Sequence, residues 1–413
     1  MKRFFLLLTI VSISLQISSC KKEKTEPAEF KAITLTEKQK QLTTASNAFG
    51  FEFFKKVNEI SSSDANLMVS PLSVSMALGM TRNGAAGTTL EAMTNTLGFA
   101  GIGDSTINQS YKYIIETFTG LDPKVNLQIA NSIWYDNHFS AEANFVATNQ
   151  SYFDAEVSKL DFSSATAPDL INAWVNEKTN QLIPKIIDKI PAEAVMYLVN
   201  AVYFKGKWKY QFEKDKTVQK PFYLPDGSTI QASAMNQHET LLYYKGSIFQ
   251  AITLPYGQGN YGMTVLLPEA GKTVTDVIAL LSQENWNTWN TQFGEFDVQL
   301  QIPKFKYVYE EKHMKPVLSA MGMGIAFDSD NADFTRINSG GGLYISDVKH
   351  KTFISTDEEG TEAAAVTSVE VGVTSVGPEL TKYVTIDRPF IYFIQEKATG
   401  TILFIGTVMN PNL

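Results

Sequence analysis

Between Asp357 and Gly377 the chain reads DEEGTEAAAVTSVEVGVTSVG, with no proline before Pro378. From Thr361 onward it alternates. Thr361, Ala363, Ala365, Thr367, Val369, Val371 and Val373 fall on one face of an extended segment, and Glu362, Ala364, Val366, Ser368, Glu370, Gly372 and Thr374 on the other. Side chains of a strand point alternately to opposite faces. The first face is small at its start, β-branched at its end and nowhere charged, which suits burial. A strand of thirteen or more residues far exceeds the usual length of about five or six. A fold that contains this run must supply a long slot for it, or leave it without one for part of its life.

The material around the run is ample for a core. The chain has 413 residues, of which 44% are hydrophobic and 19% charged, with a formal net charge of −8. Length alone suggests two or three domains as a soft prior. The acidic balance argues against a nucleic-acid partner, because phosphate binding needs clustered Lys and Arg.

The start of the chain reads as an address. Lys2 and Arg3 precede an apolar stretch from Phe4 to Ile17, and Ile17-Ser18-Ser19-Cys20 resembles a bacterial lipobox. The stretch is short and early for a membrane-spanning helix. Cleavage before Cys20 leaves 413 − 19 = 394 residues and a charge of −8 − 2 = −10. Residues 1–19 are then a lipoprotein signal peptide, and residues 20–35 a lipidated Cys20 with a flexible tether, KKEKTEPAEFK. Cys20 is the only cysteine, so the remaining domain must fold without an internal disulfide. Lys21 follows Cys20 in place of the aspartate associated with inner-membrane retention, which favours an outer-membrane lipoprotein, periplasmic or surface-facing, or an extracellular one.

The spacing of apolar residues predicts helices over Thr36–Ile60 and from Ser70-Pro71 through Met80, with Ser70 as cap. Gly84 to Gly87 breaks the second, and Thr88 starts another toward Leu97. Ile171 to Ile187 suggests a helix and its exit, and Met314 to Met321 a further helix. Central strands are expected at Gln128–Tyr135 and Val195–Phe204. Hairpins are expected at Gln250–Tyr256 with Gly262–Leu267, and at Phe390–Ile394 with Thr401–Val408. Asp297 to Tyr309 alternates around Pro303, and Leu343 to Ile354 reads as one strand. Helices dominate early and strands late, the pattern of one α+β domain.

Signatures of catalysis are missing. No G-x-S-x-G elbow occurs. His238-Glu239 begins like a zinc motif, but Leu242 stands where the second ligand belongs, and His138, His313 and His350 are scattered; no metal or cofactor is expected. Gly257-Gln-Gly259-Asn-Tyr-Gly262 matches G-x-G-x-x-G, but it joins two strands and offers no helix N-terminus to a pyrophosphate, so it reads as a turn. Asp357-Glu358-Glu359 reads as a solvated turn.

The segment LYISDVKHKTFISTDEEGTEAAAVT (Leu343–Thr367) resembles the hinge signature of serpins. In order along the chain, NLMVSPLSVSMALGMTRNGAAGTTLEAM (Asn66–Met93), LVNAVYFKGKW (Leu198–Trp208), LQIPKFK (Leu300–Lys306), ADFTRI (Ala332–Ile337) and DRPFIYFIQEKATGTILFIGTVMNP (Asp387–Pro411) resemble the same family. The resemblance spans Thr36 to Leu413 and implies one α+β domain over 36–413, with three β-sheets, about nine helices and an exposed reactive loop at about 358–385. It implies an inhibitor and no enzyme. A protease cleaves the loop as substrate and forms a covalent acyl-enzyme, and the loop's first half then inserts into the main sheet and traps it.

Several residues take roles from the resemblance. The hinge is Glu358, Gly360, Thr361, Glu362, Ala363, Ala364 and Ala365. The reactive bond falls at Thr374-Ser375, and the stretch before Arg388 is long enough for a position as late as Leu380. Ser70, Ser73, Asn200 and His350 match the polar cluster beneath the main sheet, expected to stabilise its closed form, and Trp208 the tryptophan near the top of the opening. The residues themselves say that insertion is feasible: no charge or proline lies on the inward face. No Lys or Arg occurs from Thr361 to Thr381, so a trypsin-type pocket would go unpaired. Val373, Thr374 and Val376 suit an elastase-like serine protease, with a papain-like cysteine protease as second candidate. The expected partners are that protease and, through lipid only, a membrane; the chain is expected to be a monomer. The competing reading is a noninhibitory serpin acting as a surface binding protein.

Overall fold

The computed structural model describes residues 30–61, 65–138, 140–192, 194–361 and 381–413. The expectations for the signal segment and Cys20, for Glu362, Ala363, Ala364 and Ala365, and for Thr374 and Ser375 therefore lie outside the described residues.

The first helix, α1 (Glu37–Ile60), starts at a reciprocal cap in which Thr36 and Gln39 satisfy each other's backbone N–H. Its buried face carries Leu42, Phe49, Phe53 and Val57. After β1 (Leu67–Val69) comes α2 (Pro71–Arg82), capped by Ser70 with Pro71 in its first turn. Nearly all of α2 is buried, as expected of a helix apolar on every side. It packs on α1 and reaches strands of both sheets.

Along the chain follow α3 (Gly87–Thr96), α4 (Asp104–Phe118), β2 (Val125–Asp136), α5 (Ala143–Phe153), β3 (Ala155–Leu160), α6 (Ala167–Lys178), β4 (Met196–Lys207), β5 (Val218–Tyr223), β6 (Thr229–Lys245), β7 (Phe249–Tyr256) and β8 (Tyr261–Pro268). Then come α7 (Val274–Leu280), α8 (Gln283–Asn290), β9 (Gly294–Pro303), β10 (Phe305–Glu311), α9 (Met314–Leu318), β11 (His350–Thr356), β12 (Gly360–Thr361), β13 (Lys382–Thr385), β14 (Phe390–Glu396) and β15 (Ile402–Val408).

These strands form two hydrogen-bonded sheets. One has six strands in the order β10-β11-β12-β4-β2-β3. The other has nine: eight in the order β1-β15-β14-β8-β7-β6-β9-β13, with β5 paired to β6. The 17-residue β6 belongs to two groups. Its first part pairs β5 and β9, and its last four residues pair β7. Counting those groups separately yields the three sheets expected. The main core is shared by both sheets, and a smaller cluster of Trp134, Ile171, Trp174, Val175 and Val199 lies where α6 covers the six-stranded sheet.

Three local expectations need correction. The strand read from Leu343 to Ile354 begins only at His350 and runs to Thr356, because its partner β10 ends at Glu311, opposite His350. The alternation around Pro303 is two strands in different sheets: β9 ends at Pro303 and β10 starts at Phe305. The helix begun at Met314 loses regularity after Leu318, with Gly322 at φ 104°. The residue pattern suggests no element at β1, α4, α5, β3, β5, β6, α7, α8 or β13.

Candidate functional site

The site begins where β11 ends. Asp357 turns the chain back within three residues: its carboxylate accepts the N–H groups of Glu359 (2.9 Å) and Gly360 (3.3 Å), and its own N–H donates to the Gly360 carbonyl at 2.9 Å. Gly360 and Thr361 then lie between β11 and β4. Thr361 is opposite Thr356 on one side and Gly206 on the other, and Gly360 is opposite Lys207. Among the described residues β4 and β11 share no ladder of their own, and β12 is the link between them. The fit is tight. A Cβ on Gly360 would lie 2.0 Å from the Gly206 carbonyl oxygen, so only glycine fits without moving backbone.

Trp208 closes this end of the seam. Its indole N–H donates to the Asp357 carbonyl and its backbone N–H to the Glu359 carbonyl, both at 2.8 Å. The ring stacks on Tyr256, with centroids 4.4 Å apart and planes 11° from parallel. The Tyr256 hydroxyl in turn lies 2.6 Å from the Thr361 hydroxyl, and burial holds its pKa well above the usual tyrosine value. Thr361 is 3% exposed.

The acidic residues before Gly360 are buried, which overturns the solvated-turn reading. Glu358 is 5% and Glu359 8% exposed. Lys304 reaches Glu358 at 2.9 Å and Thr217 donates to it at 2.8 Å, while Lys214 pairs with Glu359 at 2.5 Å. Burial pushes the Glu358 carboxyl up, but the bonds from Lys304 and Thr217 outweigh it and leave the group below the ordinary glutamate value. Burial raises Asp357, against the pull of its two backbone donors.

Deeper in the seam lie the four polar residues read from the sequence. His350 is on β11 and Asn200 on β4, and the first turn of α2 meets both. The Ser70 backbone N–H donates to His350 Nε2 at 3.0 Å, so that nitrogen is the acceptor and the ring proton sits on Nδ1. Ser70 Oγ donates to the Leu403 carbonyl at 2.7 Å. Ser73 Oγ donates to Asn200 Oδ1, and Asn200 Nδ2 to Asn131 Oδ1 at 2.5 Å. Burial lowers the His350 pKa to about 4, so the ring is neutral near pH 7. No hydrogen bond joins His350 to Asn200 among the described residues. Each side of the seam is tied to α2 instead.

A profile of the serpin family, described as serine protease inhibitor, matches residues 44–411. The chain belongs to the serpin family. A serpin-like protein of Thermococcus kodakarensis is 33% identical over 378 residues, 90% of this chain and 86% of that protein. Leukocyte elastase inhibitor of Xenopus laevis is 32% identical, covering 90% of this chain and 99% of its own length. Among solved structures, the native-state thermophilic serpin tengpin superposes with a TM-score of 0.82 at 36% identity, over 93% of this chain and 97% of that one. Human thyroxine-binding globulin complexed with its hormone superposes at 0.83 with 28% identity, over 91% and 100%. The single α+β serpin fold expected from the motifs is thus the fold found.

Of the sequence-predicted residues, Glu358, Gly360, Thr361 and Trp208 meet at one end of the seam, and Ser70, Ser73, Asn200 and His350 deeper in it. Tyr256, Lys304, Lys214, Gly206 and Asn131 were missed. Three of these had a signal: Tyr256 precedes the Gly257 turn, Lys304 follows Pro303 inside LQIPKFK, and Gly206 lies inside LVNAVYFKGKW. Nothing local marks Lys214 or Asn131, whose partners are 145 and 69 residues away.

Proposed function

We propose that this chain is a single-use inhibitor of serine endopeptidases that traps its target by inserting the loop after Gly360 between β4 and β11. The observation that carries the reading is β12. Thr361, the first residue of the alternating run, is already paired to both banks of the seam, and Gly360 before it to β4, with the Thr361 side chain buried as the alternation requires.

The chemistry belongs to the protease. Its serine hydroxyl attacks the carbonyl carbon of Thr374, the peptide bond breaks, and Ser375 leaves with a free amino group. The enzyme is left esterified to the new C-terminus at Thr374. Hydrolysis of that ester and insertion of the freed strand then compete. Each pair of residues inserted after Thr361 puts one small or β-branched side chain on the inward face and adds ladder hydrogen bonds to β4 and β11. Insertion beyond Thr361 carries the ester away from the loop's starting position. The apolar residues beside the bond favour an elastase-like enzyme, and a papain-like cysteine protease forms an equivalent thioester. Lys304, Lys214 and Trp208 hold the hinge turn in place while this happens. The polar contacts of Ser70 and Ser73 allow the two banks to move apart without leaving buried groups unpaired, since each bank keeps its own partner on α2. Anchoring through Cys20 would place the inhibitor on the cell envelope as a monomer on a flexible tether.

The likeness to thyroxine-binding globulin supports a second reading, a noninhibitory serpin acting as a surface binding protein. Incubation with pancreatic elastase followed by a denaturing gel separates the two. A stable band at the summed mass supports trapping; a clipped chain alone sinks it.

A further inference from the structure

The chain re-enters the described structure at Thr381, whose hydroxyl donates to Asp297 at 2.6 Å. The next residues, Lys382 and Tyr383, begin β13, which pairs in parallel with β9 at the end of the nine-stranded sheet. Beside them opens a cleft of about 630 Å³ lined by Tyr243, Tyr244, Lys245, Phe296, Lys382 and Tyr383 among others. Tyr383 is 77% exposed, the highest value among the exposed large hydrophobic residues that are described. Lys382 Nζ lies 4.9 Å from the centre of the Phe296 ring, and Phe296 meets Tyr243 edge-on at 5.8 Å. Lys382 has no carboxylate partner among the described residues, whereas Lys245 forms an ion pair with Glu269 at 3.7 Å.

We infer that this aromatic and basic cleft is a docking surface for the body of the target protease. It would take a segment that carries a carboxylate beside an apolar side chain at the rim of the enzyme's active-site cleft. The inference rests on the inhibitory reading. Two arguments carry it. The first is reach. From Ser375 to Thr381 is 381 − 375 = 6 residues, which extend to at most about 20 Å whatever their conformation. An enzyme holding the bait bond and covering a patch roughly 30 Å across therefore meets this end of the sheet. The second is composition. An exposed tyrosine beside a half-buried phenylalanine is the mixture that supplies binding energy at interfaces. The Lys382 ammonium sets the charge of the partner segment.

The test uses the full chain and two enzymes, pancreatic elastase and subtilisin, each with its active serine converted to dehydroalanine so that no bond is cut. Dissociation constants are measured for the parent, Tyr383→Ala and Lys382→Glu. Tyr383→Ala should weaken binding about tenfold. Lys382→Glu should do so about tenfold at low ionic strength and much less at about 1 M salt, where the Debye length is about 3 Å. Both side chains project from an edge strand, and unchanged thermal unfolding checks that the variants fold. Equal binding of parent and variants, or binding of neither enzyme, overturns the docking surface. So does self-association of the parent that Tyr383→Ala abolishes, which would make the cleft a contact between copies. Failure of the inhibitory reading shows separately, as absence of the covalent band when active elastase is added to the parent.

Discussion

Replacing Thr361 by arginine places a charge at the one inward-facing position that the structure shows already seated. The site is formed by the Tyr256 hydroxyl, the Gly206 backbone and Thr356, with Trp208 stacked behind Tyr256. Glu358 and Glu359 cannot neutralise the newcomer without giving up Lys304, Thr217 and Lys214. An unpaired charge in such a place costs at least about 3 kcal/mol. The uncut variant escapes that cost by leaving β12 unseated, so the cost falls on the later insertion and its barrier, while hydrolysis of the acyl ester is untouched. At 1.36 kcal/mol per factor of ten, insertion slows by about two orders of magnitude against hydrolysis. An inhibitor that traps about ten enzyme molecules for each chain hydrolysed would then be turned over mostly as a substrate, with about ten chains cleaved per enzyme trapped. The assay is titration of active elastase with the variant, reading residual activity and the gel band. Thr361→Ser keeps the hydroxyl and should behave as the parent. An unchanged stoichiometry for Thr361→Arg would refute the argument that this side chain enters the sheet.

Gly360→Ala puts a methyl group against the Gly206 carbonyl oxygen and should unseat β12, seen as altered fluorescence of Trp208, whose indole loses its Asp357 partner. Lys304→Ala leaves Glu358 buried with Thr217 as its remaining side-chain partner and should cost about 1–3 kcal/mol, read from the urea midpoint; an unchanged midpoint would mean the pair is solvated. His350 titrates at about 4 in the fold and near 6.5 when unfolded, so its contribution is complete above pH 6.5 and is lost as pH falls toward 4. The loss amounts to about 3 kcal/mol and should be absent in His350→Gln, in urea unfolding at a series of pH values. Thr374→Arg should redirect inhibition to trypsin; no gain would move the reactive bond elsewhere in the loop.

Much of the site was readable because it is built from local patterns. Ser70-Pro71 announced a helix start, since a cap needs a short side-chain oxygen before an apolar run, while the place of Ser70 in the polar cluster came from the resemblance. Gly360 stood out as the residue before the alternation. The acidic triplet was misread for the opposite reason. Three carboxylates in a row look solvated until Lys214 and Lys304, 145 and 54 residues away, arrive to pair two of them. The strand boundary at His350 was equally invisible, because a strand ends where its partner ends, and β10 is fixed by a different stretch of chain.

From its residues alone the chain specified a strand suited to burial on one face, a hinge with room for close approach, and no catalytic constellation. These properties follow from side-chain size, charge and period two, and they travel with the sequence wherever the segment sits. What only the tertiary structure decided is where the strand starts to be buried. The seam between β4 and β11, the stack of Trp208 on Tyr256, and the division of the polar cluster between two banks are all pairings of residues far apart in the chain. Such pairings exist only once the sheets have closed around α2, because no local preference brings His350 to Ser70 or Thr361 to Gly206.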